Sequence, residues 1–390
     1  MRHSGNIELA LRKFVAPEYI FGVDARKLAA NYCKKLAAEN IMLVTDKGLR
    51  ATMLVSELEL MLQKEGLPYI IYDEISPNPR DYEVMKGAEI FKQNKCNIIL
   101  ALGGGSVLDC AKGIGIVATN FKDIEYFEGI DKIEKPTPPL ICVPTTAGSS
   151  ADVSQFAIIN NSKEKYKMAI ISKALVPDVS LIDPIALQSM DSYLTACTGM
   201  DALSHAFEAY VSNANSPFTD LYATEAIKLI HENLMTTILL PDNLQARGKT
   251  ALGSLYAGLA FSNASLGCVH SLAHSLGGYM DLPHGECNAI LLPHVVDYNF
   301  DSAHERYKNI AKILNLHVED LPVNAIKSKL IDYLIEFKKK VTIVDTLKNK
   351  GVKTDIISAL SDKAIKDPCN ATNPKAPTKN DLATIYSEAL

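Results

Sequence analysis

The chain has 390 residues, 47% of them hydrophobic and 22% charged, with a formal net charge of −5 and no tryptophan. That length points to two domains, and the composition excludes disorder and fibre. The acidic balance leaves no excess of cation for a nucleic-acid partner, and no stretch reaches the roughly 18 apolar residues of a membrane span.

In chain order, the apolar run 41–45 predicts a strand ending before Asp46, and helical spacing follows over 51–65. Residues 69–72 form the next strand, closed by Ser76-Pro77-Asn78-Pro79. Helical spacing covers 81–94, residues 97–102 read as a fully buried strand, and 107–118 as a helix. Two further strands are expected at 140–143 and 179–182. Continuous apolar strands alternating with helices indicate a mostly parallel sheet covered on both faces. After Asp183-Pro184 the pattern becomes helical, over 192–211, 218–234, 244–263, 304–314 and 324–341. The expected fold is therefore an α/β domain over 1–184, then an all-helical domain over 185–390. Asp367 to Pro374 form a late loop before a short final helix. The run Lys338-Lys339-Lys340 is a solvated helix face.

Eight cysteines are scattered without a C-x-x-C pair, as expected of reduced, buried thiols in a cytoplasmic protein. The N-terminus has neither the apolar core nor the small-residue cleavage site of a secretory signal.

Three groups of residues could carry chemistry. Gly103-Gly104-Gly105-Ser106 joins a strand to a helix N-terminus, where backbone N–H groups and the helix dipole can meet phosphate. Leu108 breaks the G-x-G-x-x-G fingerprint, and a plain tight turn uses glycines equally well. Pro144-Thr145-Thr146-Ala147-Gly148 also follows a strand, at the sheet edge where open α/β folds bind ligands; an ordinary turn is the other reading. In the helical half, Asp201 and His205 share one helix face, as do His270 and His274. His284, between Pro283 and Gly285, reads as a loop residue. Imidazoles with one carboxylate suit Fe²⁺ or Zn²⁺. Any one such pair can be an ion pair or a satisfied core histidine, whereas several in one helical half favour a metal site.

These segments resemble the iron-containing (group III) alcohol dehydrogenases. The resemblance is collinear from about residue 10 to the C-terminus. It is carried by Leu43-Val44-Thr45-Asp46, Pro77-Asn78-Pro79, Ala101 to Ser106, Pro144 to Gly148, Gly199 to His205, Phe261-Ser262-Asn263, Val269 to His274, Pro283-His284-Gly285 and Asp367 to Pro374. It implies that 1–184 is a Rossmann-like dinucleotide-binding domain and that Asp201, His205, His270 and His284 bind the metal, Fe²⁺ with Zn²⁺ as the alternative. His274 then lies beside the nicotinamide and is not a ligand. Gly103, Gly104, Gly105 and Ser106 would hold the NAD pyrophosphate, with Thr145 and Thr146 lining the cleft. Lys167 would reach the nicotinamide-side ribose, and Asp46 the adenosine ribose, with Asn78 nearby. Where the family continues Thr-Gly-Ser-Glu, this chain has Ser149-Ser150-Ala151-Asp152, a lost glycine and a shorter acid in the loop past Gly148.

The activity implied is hydride transfer between NAD(H) and a small primary alcohol or diol and its aldehyde, with His274 as proton relay. A homodimer is the expected assembly. The alternative enzyme is a dehydroquinate-synthase-like, NAD- and metal-dependent cyclase or lyase. A non-catalytic cofactor-binding protein would require a broken ligand set, and all four ligand residues stand.

Overall fold

Alternate side chains of the central strands belong to two different cores, which explains why these strands carry no polar residue. The structure is a computed structural model and describes residues 13–390. Nine strands occur among these residues: β1 (Glu18–Phe21), β2 (Ile41–Val44), β3 (Tyr69–Tyr72), β4 (Ile98–Gly103), β5 (Gly129–Ile130), β6 (Leu140–Pro144), β7 (Phe156–Asn161), β8 (Tyr166–Ile171) and β9 (Val179–Ile182). Met42, Val44, Ile99 and Ala101 pack on one face of the main sheet. Ile41, Leu43, Ile98 and Leu100 pack on the other. The period of two thus sends apolar groups to both faces, as a parallel sheet covered by helices requires.

That sheet is six-stranded and parallel throughout, in the order β1-β9-β6-β4-β2-β3. A smaller sheet, β5-β8-β7, contains the antiparallel hairpin β7–β8. The carboxyl ends of β2, β4 and β6 release Asp46, Gly104 and Thr145 on one edge of the main sheet. From Ser192 onward every regular element is helical. Helices Ser192–Val211, Pro217–Leu239, Leu244–Ala264, Cys268–Met280 and His284–Asn299 share one large apolar core. No single helix among the described residues is long and apolar enough to cross a membrane. The pair Leu244–Ala264 and Cys268–Met280 passes together on length and composition, but it is bent by 101° and mostly buried in that core.

Three of the departures from the expected elements have local causes. β1 was not anticipated, because its half-exposed Glu-Tyr-Ile-Phe lacks the apolar continuity of the inner strands. The hairpin β7–β8 was also missed: its turn, Ser162 to Lys165, has no glycine, and Lys165 itself adopts φ +53°. His284 is not a loop residue. Pro283 caps helix His284–Asn299, and His284 is its first residue. Gly285 supplies the reason, since a Cβ there would lie 2.2 Å from the Cys197 carbonyl oxygen. The Pro-His-Gly sequence marks a tightly packed helix start, with proline's fixed φ matched to the entry.

Candidate active site

A cleft of about 820 Å³ runs between the carboxyl edge of the sheet and the helical half. On the sheet side, helix Gly105–Asn120 begins at the cleft wall with Gly104 as its cap residue. A Cβ on Gly105 would lie 2.5 Å from Ser149 Oγ, and one on Gly104 3.1 Å from Thr146 Cγ2. Only bare backbone fits there, so the helix N-terminus presents its N–H groups to the cleft unshielded. Gly103 differs from its neighbours. It ends β4 off the cleft, where a Cβ would meet Val107 Cβ at 2.4 Å, so its missing side chain lets the following helix close on the strand. Ser106, Thr145 and Thr146 line the cleft.

Asp46 caps helix Lys47–Arg50, with Oδ1 accepting the Leu49 N–H at 2.9 Å. Asn78 is tied across the cleft, its Nδ2 donating to Asp281 Oδ1 at 2.8 Å. Arg80 reaches the other Asp281 oxygen at 3.0 Å. Ser150 takes the left-handed conformation (φ +49°) at the position where a glycine was expected, and donates from Oγ to the Ser254 carbonyl at 2.8 Å. Asp152 accepts from Ser180 Oγ at 2.7 Å, so the altered loop is firmly held.

Lys167 enters from β8. Gly277 and Gly278 on helix Cys268–Met280 let it pass: a Cβ on Gly277 would lie 2.9 Å from Lys167 Cε, and one on Gly278 2.5 Å from Tyr166 Cα. Burial pushes the Lys167 amine below its ordinary pKa, against the pull of Cys287, Asp109, Asp201 and Asp281. Asp109 also lines the cleft; burial pushes its carboxyl up to about 6, with Lys112 opposing.

On the helical side, Asp201 and His205 project from helix Ser192–Val211, and His270 from helix Cys268–Met280. Asp201 Oδ1 stands 3.6 Å from His270 Nε2, 3.7 Å from His284 Nε2 and 3.9 Å from His205 Nε2. Bonds of about 2.0–2.2 Å to one cation can span such separations. Asp201, His270 and His284 form a set whose donor atoms all lie within 4.8 Å of one another. His205 is outside that set, stacked between Phe261 (centroids 4.2 Å apart) and His270 (4.4 Å).

Glu208 fixes His270 from behind: Oε2 lies 2.6 Å from Nδ1, while Oε1 accepts the Val269 N–H. Asn288 Nδ2 donates to Asp201 Oδ1 at 2.6 Å and lies 3.2 Å from both His270 Nε2 and His284 Nε2, leaving its own Oδ1 buried and unpaired. Acceptor atoms thus converge on one point that calls for positive charge, and the donor set fits Fe²⁺ or Zn²⁺. Burial pushes the Asp201 carboxyl up, but His205, His284 and His270 outweigh it and hold it well below the usual range. Burial pushes His205 down to about 3 despite Asp201. At His270 burial is outweighed by Asp201 and Glu208, and the ring rises to about 9. His274 lines the cleft one turn away, stacked on His284, with Nδ1 2.8 Å from Asp367 Oδ2.

The sequence reading assigns no role to Glu208, Asn288, Asp109, Asp281 or Asp367. Glu208 had a signal, since it continues the Asp201/His205 helix face at i+7. Asn288 would have shown as i+4 from His284 had that residue been placed on a helix. Asp367 and Asp281 reach their partners through tertiary contacts that no local spacing encodes.

A dinucleotide-sized cleft at the edge of a parallel sheet, facing a buried Asp–His cluster, defines a metal-dependent, NAD-linked oxidoreductase. Residues 16–184 match the family model for iron-containing alcohol dehydrogenase, and residues 195–390 the C-terminal model of the Fe-containing alcohol dehydrogenase family. The 1,3-propanediol dehydrogenase of Citrobacter freundii is 39% identical over 372 residues, 95% of this chain and 96% of the relative. The NAD-dependent methanol dehydrogenase of Bacillus methanolicus is 36% identical over 97% of this chain and 99% of its own length. A crystal structure of 1,3-propanediol oxidoreductase superposes with a TM-score of 0.94 at 38% identity, covering 98% of this chain and all of that one (100%). The chain belongs to the iron-containing alcohol dehydrogenase family. Its reaction is the interconversion of small alcohols and their aldehydes.

Proposed function

We propose that this enzyme interconverts a short, uncharged primary alcohol or diol and its aldehyde, with Asp201, His205, His270 and His284 holding Fe²⁺, or Zn²⁺ on the same donors. The carrying observation is the convergence of three imidazole Nε2 atoms on Asp201 Oδ1, at 3.6–3.9 Å, on the cleft wall. When bound, the metal supplies Lewis acidity toward the substrate oxygen, and the nicotinamide accepts or returns a hydride.

The residues divide the remaining work. Gly104 and Gly105 offer backbone N–H groups to the pyrophosphate, with Ser106, Thr145 and Thr146 beside them and Gly103 letting the helix close on the strand. Asp46 takes the adenosine ribose hydroxyls, with Asn78 nearby, and Lys167 the nicotinamide-side ribose. His274 takes up the proton that an alcohol must lose and passes it toward water. Phe156 and Phe261 wall the space next to His205, which favours a short apolar substrate; the two rings pack edge to face at 5.6 Å. Methanol, 1,3-propanediol and lactaldehyde, handled by similar proteins, span the sizes to be tried.

Two domains, 1–184 and 185–390, meet at this cleft in our reading. A homodimer would cover the edge strand β1, where Tyr19, Phe21 and Val23 stand exposed, as do Phe14 and Phe218, whose rings lie 6.3 Å apart. Eight free, buried thiols fit a cytoplasmic location. The test is NADH oxidation against a panel of short aldehydes after loading with Fe²⁺ or Zn²⁺. Turnover of at least one is expected; none with either metal overturns the proposal.

A further inference from the structure

His270 and His274 lie one turn apart on the same helix, and each has a buried carboxylate on Nδ1: Glu208 at 2.6 Å and Asp367 at 2.8 Å. Their other nitrogens differ. His270 Nε2 faces Asp201, whereas His274 Nε2 has no hydrogen-bond partner among the described residues and is not among the buried unpaired atoms. His274 lines the cleft and Asp367 does not, so the dyad is reached from the imidazole side.

We propose that Asp367 is a positioning residue for the reaction, holding His274 as the Nδ1–H tautomer so that Nε2 offers its lone pair to the cleft. This rests on the reading of His274 as proton relay. Asp367 is itself firmly placed. Its Oδ1 accepts the Cys369 N–H at 2.8 Å, capping the turn Pro368–Thr372, which leaves Oδ2 for the ring. Both side chains are almost fully buried, 5% and 8% exposed. An ionised carboxylate can only accept hydrogen bonds, so the proton between them belongs to Nδ1. Burial pushes the Asp367 carboxyl up, but His274 and the Cys369 N–H outweigh it, and the group stays anionic. The ring plane is fixed as well, stacked on His284 at 5.1 Å and 15°. With plane and tautomer set, Nε2 can take the proton from an alcohol oxygen without first reorienting or exchanging a proton with solvent.

A rival reading exists, because His274, Asp367 and Cys369 also bring three potential ligand atoms within 4.8 Å of one another. In that arrangement Nδ1 would be a metal ligand and could not carry a proton.

The test uses metal-loaded protein with Asp367→Asn, Asp367→Glu, His274→Ala and the double variant His274→Ala/Asp367→Asn. An asparagine can offer its N–H to Nδ1 and so favours the wrong tautomer. Asp367→Asn is expected to keep its metal content and its KM for NAD⁺ while kcat for alcohol oxidation falls about 10–100-fold. Asp367→Glu should recover part of that loss. The double variant should be no slower than His274→Ala, because the two residues act as one unit. Independently of rate, ¹⁵N spectra of histidine-labelled protein should show His274 protonated at Nδ1 in the wild type and altered in Asp367→Asn. Multiplicative losses in the double variant, loss of a bound metal from Asp367→Asn, or an unchanged His274 tautomer in that variant each overturn the inference. A wild-type rate in His274→Ala removes the relay reading and the kinetic role built on it, whereas the spectra bear on Asp367 alone.

Discussion

Glu208 grips His270 by Nδ1 at 2.6 Å, so the ring can present only Nε2 to Asp201. Carboxylates placed behind a ligating imidazole orient it and raise its basicity. Replacing Glu208 with Gln keeps the volume but removes the charge. Metal affinity is expected to fall about 10–100-fold, measured by competition with a chromogenic chelator, with the far-UV circular dichroism unchanged. An unaltered affinity would assign Glu208 a packing role only.

His270→Ala and His284→Ala should each lose metal and activity together, with the fold retained. On the proposed ligand set, either change takes away one of its four donor side chains. Metal stoichiometry by atomic emission, alongside turnover, is the measurement. Stoichiometric metal with full activity in either variant removes that residue from the ligand set.

Preference for NAD over NADP should follow from Asp46. Asp46 lines the cleft with one carboxylate oxygen engaged by the Leu49 N–H, and its charge would repel a 2′-phosphate. Lys47 and Arg50 soften the discrimination without reversing it. Comparison of kcat/KM with the two cofactors should favour NAD, and Asp46→Gly should narrow the gap. The lost cap costs Asp46→Gly a few tenths of a kcal/mol, so thermal stability should be followed in parallel. A wild-type preference for NADP contradicts this assignment.

The Asp109 carboxyl sets a pH dependence of stability. Its folded pKa is raised from 3.8 to about 6 by burial. The folded state therefore binds the proton more tightly than the unfolded chain does. Stability from this group is fully present below the unfolded value, falls as pH rises toward 6 and stays reduced above it. Asp109→Asn should leave Tm unchanged near pH 4 and raise it above pH 6, with a gain on the order of 1–3 kcal/mol. Thermal melts of the metal-loaded protein across that range measure it. A pH-independent difference between variant and wild type would mean that Asp109 does not titrate there.

Much of this architecture can be read from residue spacing, and the exceptions have physical causes. Helix Ser192–Val211 was visible because its apolar residues recur at helical spacing, with Asp201 and His205 one turn apart on one face. The inner strands were visible because both of their faces are buried, leaving unbroken apolar runs. β1 stayed hidden because an edge strand need not be apolar, and the hairpin β7–β8 because its turn uses Lys165 where a glycine would have announced it. Asp367 lies 93 positions from His274, and Asp281 lies 203 from Asn78, so only folding brings either pair together. Spacing alone could not rank His270 against His274; the group facing each Nε2 separates them.

Helix Cys268–Met280 carries His270, His274 and the glycines that make room for Lys167, so a single rigid rod gauges the distances among these two imidazoles and the Lys167 amine. Inserting or deleting one residue between His270 and Gly277 would turn everything beyond it by about 100°. The Lys167 slot would then open onto the wrong face, and no side-chain adjustment could restore all three spacings together. Substitutions here can be graded in effect, but changes of length cannot. Phe156 on β7 and Phe261 on helix Leu244–Ala264 stand on other elements, where a ring can shrink or grow while the gauge keeps its length.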